Sequence, residues 1–154
     1  MLIYMVVLAQ PCRRIHPSTQ PTGVLRALGL TSRPHDLIKT VKGGLSIQVF
    51  RTLAEALDVS DAALANLAGI SGTTLTRRKR AGQLTPDESE HVLRIANLLE
   101  RAAQVFEDVG DAAEWLKTPN FSLGNVTPLS YADTEIGARE VENLLGRIDY
   151  GVYS

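Results

Sequence analysis

The sequence predicts an all-α protein, and three observations carry that prediction. From Val24 onward apolar residues recur at three-and-four spacing, the period of one helix face. Strand-like alternation of apolar and polar residues is rare. Residues that start helices (Ser60, Ser71, Thr85-Pro86, Thr134) alternate with glycines that end them (Gly29, Gly69, Gly82, Gly151).

Taken in order, residues 24–30 form a short candidate helix ending near Gly29. Asp36 is placed to cap a helix over 37–42, which stops at Gly43-Gly44. No strand precedes that glycine pair and no GK[ST] follows it, so it reads as a helix end and not as a phosphate loop. Residues 46–57 align Ile47, Phe50, Leu53, Ala54 and Leu57 on one face. Ser60 caps 61–68, ended by Gly69, and Ser71 caps 72–80, ended by Gly82. Thr85, Pro86 and Glu88 form a capping box with proline at the first helical position. The helix they start runs through Val92, Ile95, Leu99, Ala102, Ala103 and Phe106 and stops near Gly110. Asp111, followed by Ala112, Ala113 and Glu114, starts a short helix carrying Trp115 and Leu116. Thr118-Pro119-Asn120 and Leu123-Gly124-Asn125 are turns, and Thr127-Pro128 opens another short helix. Thr134 precedes the last long helix, which buries Ala138, Val141, Leu145 and Ile148 and leaves 151–154 as a short tail.

The 154 residues are 44% hydrophobic, 21% charged and 5% aromatic, values of an ordinary globular chain with one domain or two small ones sharing a core. The net charge of −1 hides a split: residues 1–100 hold 12 Lys and Arg against 8 Asp and Glu, and residues 101–154 hold 4 against 9. A basic front and an acidic back suit two partners of opposite character. The single Cys12 excludes an intramolecular disulfide and fits a reducing cytoplasm. His16, His35 and His91 are scattered away from it, so no metal site is expected. No apolar run approaches the ~20 residues that span a bilayer, so no membrane partner is expected. The apolar stretch 1–9 lacks the basic residues that precede a signal sequence, since Arg13 and Arg14 follow it. Ala9-Gln10-Pro11 before Cys12 is not a small-residue cleavage site. A short docking strand, or residues upstream of an internal start at Met5, are the other readings. Residues 10–23, with Pro11, Pro17 and Pro21, read as a linker.

Between Leu64 and Leu75 the pattern is that of a helix-turn-helix. Leu64 is followed by the small Ala65, Gly69 lies four further on, Ile70 follows it, and Leu75 comes five later. The second helix adds Ser71, Thr73, Thr74 and Thr76, then the consecutive cations Arg77, Arg78, Lys79 and Arg80. Thr and Arg can read base edges and cations suit phosphates, so these eight residues are the candidate DNA-binding set. A solvated helix C-terminus, where cations favour the macrodipole, accounts for the basic run alone but not for the turn pattern. Paired half-sites about 34 Å apart then imply a homodimer. No GxSxG, HExxH, GxGxxG or Walker loop is present, so no catalytic residue is assigned. The carboxylates Glu107, Asp108, Asp111, Glu114, Asp133, Glu135, Glu140 and Glu142 read as a solvated acidic face.

The C-terminal half resembles the toxin-binding domain of Xre/MbcA/ParS-type antitoxins. The resemblance is carried by Trp115-Leu116-Lys117-Thr118-Pro119-Asn120, by Leu123-Gly124-Asn125-Val126-Thr127-Pro128-Leu129, by Gly137-Ala138 with Val141, and by Leu144-Leu145-Gly146-Arg147-Ile148 with Tyr150-Gly151. Thr74-Leu75-Thr76-Arg77-Arg78, Gly82, Leu84 and Glu88-Ser89 resemble the Xre-like helix-turn-helix of the same proteins. Asn125 departs from the family, which usually has a second glycine there; Asn tolerates a left-handed backbone, so the turn survives. The resemblance implies a poorly assigned segment 1–35, a helix-turn-helix and dimerisation domain over 36–107, and a small helical toxin-binding domain over 108–154. It also implies a RES-domain toxin that consumes NAD⁺, covered at its active site by the antitoxin's C-terminal end, and repression of the operon through operator DNA. No cofactor of its own is implied. On that footing Arg147, Tyr150, Gly151, Val152, Tyr153 and Ser154 are the candidate toxin-binding residues, the tyrosines offering a ring and a hydroxyl to a nucleotide cleft. Two other readings stand beside it: a stand-alone helix-turn-helix repressor whose C-terminal domain binds a ligand or dimerises, and an adaptor that has lost DNA binding.

Overall fold

The computed structural model describes residues 23–151. Its elements are α1 (Val24–Ala27), α2 (Pro34–Gly43), α3 (Ile47–Leu57), α4 (Asp61–Leu67), α5 (Gly72–Ala81), α6 (Pro86–Phe106), α7 (Val109–Lys117), a 3-10 turn (Phe121–Leu123), α8 (Pro128–Tyr131) and α9 (Glu135–Asp149). Pairing outside helices is limited, among the described residues, to isolated bridges between Ser46 and Gln83 and between Asn120 and Val126. The fold is thus all-α, as the periodicity predicts. The readings made for residues 1–22, the apolar stretch and the proline linker, lie outside the described residues.

The axis of the molecule is α6. α1, α2, α7 and α9 all pack on it, α3 touches α4, α6 and α7, α4 packs on α5, and α8 bridges α7 and α9. One apolar core therefore runs from Val24 to Leu145. The face predicted for α3 is the buried one, with Phe50, Leu53, Ala54 and Leu57 closed off and Ile47 half-buried. On α6 the predicted Val92, Ile95, Leu99, Ala102 and Ala103 are buried, and so are Ala96, Leu98, Ser89 and Glu100. Ser89 is held by two bonds: its hydroxyl donates to the Thr85 carbonyl at 2.7 Å and accepts from the Leu45 amide at 2.8 Å. Glu100 accepts from the Leu25 amide at 3.0 Å. Phe106 and Trp115 close the far end with ring centroids 5.7 Å apart.

The helix starts at Ser46, Ser60, Ser71, Thr85, Thr127 and Thr134 all carry side-chain caps. Four boundaries differ from expectation. α2 starts at Pro34, not after Asp36, because proline at the first helical position has its φ preset and its missing N–H costs nothing. α6 stops at Glu107 and not near Gly110: Glu107 takes a left-handed φ of 59°. The next cap is Asp108 and not Asp111, since the Asp108 carboxylate accepts the Asp111 amide at 2.8 Å and places Gly110 inside α7. α1 is shorter than expected, ending before Gly29 at φ 74°. Ile148 is half-buried, not buried. Asn125 adopts φ 63°, the left-handed turn expected of it.

The capping box of α6 also holds its neighbour. Glu88 Oε2 accepts the Thr85 amide at 2.9 Å and the Arg78 Nε–H at 2.8 Å. Burial raises the Glu88 carboxyl, but the Arg78 hydrogen bond, the Thr85 amide and the Arg78 charge outweigh it and hold the group below its ordinary 4.5. A lowered folded pKa means stability that is full above the unfolded value and is lost as pH falls through the folded one. Glu88→Gln is expected to cost about 1–2 kcal/mol at neutral pH. The gap from wild type should narrow below the ordinary 4.5, read by urea unfolding across pH. A gap constant with pH would mean that the charge on Glu88 contributes nothing.

Candidate nucleic-acid and partner interfaces

The turn between α4 and α5 is built as its residues require. Leu64, Ala65, Ile70 and Leu75 are all buried, and the Ile70 amide donates to the Ala65 carbonyl at 2.7 Å. Gly69 takes φ 70°, a backbone that side-chain-bearing residues rarely adopt. His91 braces the turn from α6, its Nδ1 lying 3.0 Å from the Ala68 carbonyl.

The eight candidate residues around α5 separate by side. Ser71 accepts the Thr74 amide at 3.3 Å and its hydroxyl donates to Thr74 Oγ1 at 2.9 Å, so this pair caps the helix. Arg78 is tied to Glu88 at 2.8 Å and Lys79 to Asp61 at 2.8 Å, one on each flank of the buried Leu75. Thr73, Thr76, Arg77 and Arg80 follow i, i+3, i+4, i+7 spacing, share the opposite face and are exposed. With Gly72 they line a single open hollow. The run of four cations thus divides into two that hold α5 in place and two that face solvent beside two hydroxyls.

At the other end of the chain, α9 is pinned at both ends to α6. Arg94 donates to the Asp133 carbonyl at 3.3 Å and pairs with Glu135 at 3.4 Å, while Arg101 pairs with Asp149 at 3.2 Å. Arg147 is exposed, Tyr150 is 66% exposed, and Gly151 turns at φ 69°. Tyr150 therefore does not close the core. Val152, Tyr153 and Ser154 lie outside the described residues. Sequence reasoning overlooked a set of exposed large apolar side chains: Phe121 at 86%, Ile136 at 79%, Val126 at 41% and Tyr131 at 38%. Ile136 carried a signal, since it is an isoleucine off the buried face of its helix. Of the carboxylates read as an acidic face, Asp108 caps α7, Glu114 lies 3.7 Å from Lys117, and Glu135 lies 3.4 Å from Arg94. Among the described residues no group of His, Cys, Asp and Glu is placed to hold a metal, and no helix is long and apolar enough to cross a membrane.

Residues 36–97 match the Antitoxin Xre-like helix-turn-helix domain, and residues 101–151 match the Antitoxin Xre/MbcA/ParS C-terminal toxin-binding domain. The two matches meet within α6. The chain is 36% identical over 141 residues to "Antitoxin Xre" of Yersinia enterocolitica serotype O:8, covering 90% of this chain and 95% of that protein. It is 35% identical over 126 residues to "Antitoxin Xre" of Photorhabdus laumondii, covering 80% and 84%. It is 28% identical over 131 residues to "Prs ADP-ribosylating antitoxin" of Sphingobium sp. strain YBL2, covering 79% and 82%.

Proposed function

The chain belongs to the Xre antitoxin family, a helix-turn-helix domain followed by a toxin-binding domain, and from that premise we propose that it neutralises a RES-domain toxin by covering the toxin's NAD⁺ cleft with its C-terminal end. The observation that carries this reading is the exposed end of α9, where Arg147 and Tyr150 project from a helix that two ion pairs hold rigid. A rigid helix delivers the residues beyond it without a large ordering cost. Tyr150, Tyr153 and the following Ser154 offer aromatic surface and hydroxyls to a cleft shaped for a nucleotide. Steric cover needs no catalytic group on the antitoxin, so the protein acts as an inhibitor and not as an enzyme. The Sphingobium relative carries ADP-ribosylation in its name, a reaction that draws on NAD⁺, and this is in keeping with an NAD⁺ cleft on the partner.

The second half of the proposal is repression of the operon in the cytoplasm by a homodimer. Its support is the exposed face of Thr73, Thr76, Arg77 and Arg80, with Ser71 and Thr74 setting the start of α5 and Arg78 and Lys79 holding its angle. Within this proposal residues 36–107 form the DNA-binding and dimerising unit and 108–154 the toxin-binding unit, joined at the left-handed Glu107.

Deletion of residues 151–154 tests the reading. The truncated protein is expected to keep its unfolding midpoint and its promoter affinity and to bind the toxin encoded beside it, yet to leave NAD⁺ consumption running. Full inhibition by the truncated protein at equal molar ratio would overturn cover by the tail.

A further inference from the structure

The outer face of α9 does more than lead to the tail. Ile136, Glu140, Asn143, Arg147 and Tyr150 follow i, i+4, i+7, i+11, i+14 spacing and are all exposed, so they form one stripe. At 1.5 Å per residue, Ile136 and Tyr150 stand about 21 Å apart along that stripe. Its N-terminal end broadens into an apolar surface. Val126, Tyr131 and Ile136 line one hollow together with Gly137 and the polar Ser130, Asp133 and Thr134. Asn120 bonds to the Val126 carbonyl at 3.0 Å, which sets Phe121 at the neck of the same loop.

This surface is held stiff. Gly137 packs directly on the Tyr131 carbonyl, Thr127 caps α8, and Thr134 caps α9 through the Gly137 amide at 3.0 Å. Single exposed apolar residues are ordinary, but Val126, Tyr131 and Ile136 around one hollow, with Phe121 exposed on the loop that Val126 closes, make a surface of the kind that anchors a protein partner. Asp133 lines the hollow and Glu140 follows Ile136 one turn along the stripe, so the matching surface is apolar with a basic rim.

We infer that Phe121, Val126, Tyr131 and Ile136 form the anchor through which this chain grips the toxin, about 21 Å from the tail that blocks the cleft. The occupant is the toxin because Ile136, on the patch, and Tyr150 share one face of α9, so a body seated on the tail extends toward the patch. The matched toxin-binding segment, 101–151, contains all four residues. The inference rests on the proposed toxin reading and divides it into two parts, affinity at the patch and inhibition at the tail.

The test uses the full chain and the purified toxin encoded beside it, with Ile136→Glu and Phe121→Glu as separate variants. Glu at the second position of α9 favours the helix dipole, and both sites are exposed, so the unfolding midpoint and promoter affinity should hold. Each variant is expected to raise the Kd for toxin about 100-fold while still inhibiting NAD⁺ consumption completely at saturation. The 151–154 deletion should keep its Kd within about tenfold and fail to inhibit. Wild-type toxin affinity in both Glu variants overturns the anchor and leaves the tail reading intact. Unchanged toxin affinity with a dimer lost in light scattering also overturns it, assigning the patch to a second copy of this chain. Weakened binding in the Glu variants with full inhibition by the deletion supports the anchor while the tail reading fails.

Discussion

Promoter binding is expected to fall about 10³-fold when Arg77 and Arg80 are both replaced by Ala, with the fold unchanged. Both side chains are on the exposed face of α5, and neither takes part in the ion pairs that hold that helix. In a homodimer the double variant removes four cations from four phosphates. At about 0.9 per phosphate the slope of log K against log salt should flatten by about 3.6. Counterion release vanishes toward 1 M, so at about 0.15 M salt that slope is worth roughly the thousandfold stated. Arg78→Ala is the contrasting variant: it removes the partner of Glu88, so it should lower stability and leave the salt slope unchanged. Unaltered affinity and slope in folded Arg77→Ala/Arg80→Ala would remove α5 from the DNA interface.

Gly137→Ala should destabilise the protein by about 3 kcal/mol, against the usual direction of glycine-to-alanine changes inside helices. The added methyl falls on the backbone carbonyl oxygen of Tyr131 and within 2.9 Å of its carbonyl carbon. Neither atom can turn aside as a side chain can, so α9 must lift off α8 or the turn before it must distort. For a chain of this length that corresponds to a melting midpoint lower by about 10 °C. Gly146→Ala on the same helix meets nothing within 4 Å and should gain up to about 1 kcal/mol. The sign difference between the two glycines, read by thermal unfolding, is the diagnostic; equal stability of the two variants would mean that the packing of Gly137 on Tyr131 does not limit the side chain at 137.

Where helix signals were local, they were legible. The Thr85 capping box, the serine caps at 60 and 71 and the left-handed glycines at 69 and 82 each act over four residues or fewer, and chain order displays them directly. The restart at Asp108 was missed because glycine is the usual helix stop, and here Glu107 takes the left-handed position instead. The α5 site was legible as a set of eight residues but not as a division of labour, because Asp61 and Glu88 reach it from neighbouring helices. The apolar patch escaped because Phe121, Val126 and Tyr131 sit in short turn-like segments where periodicity has no meaning.

The sequence by itself determined the all-α class, the succession of capped helices, the helix-turn-helix and its family, because capping, turn formation and helical period depend on neighbours along the chain. The tertiary structure alone decided which apolar and polar groups are withdrawn from solvent. It buried Glu100 against Leu25 and Ser89 against Leu45, assigned Arg78 and Lys79 to holding α5, and left Ile136 and Tyr150 on one open stripe. Those outcomes depend on α6 having partners on several sides at once, and such packing joins residues tens of positions apart that no local pattern relates.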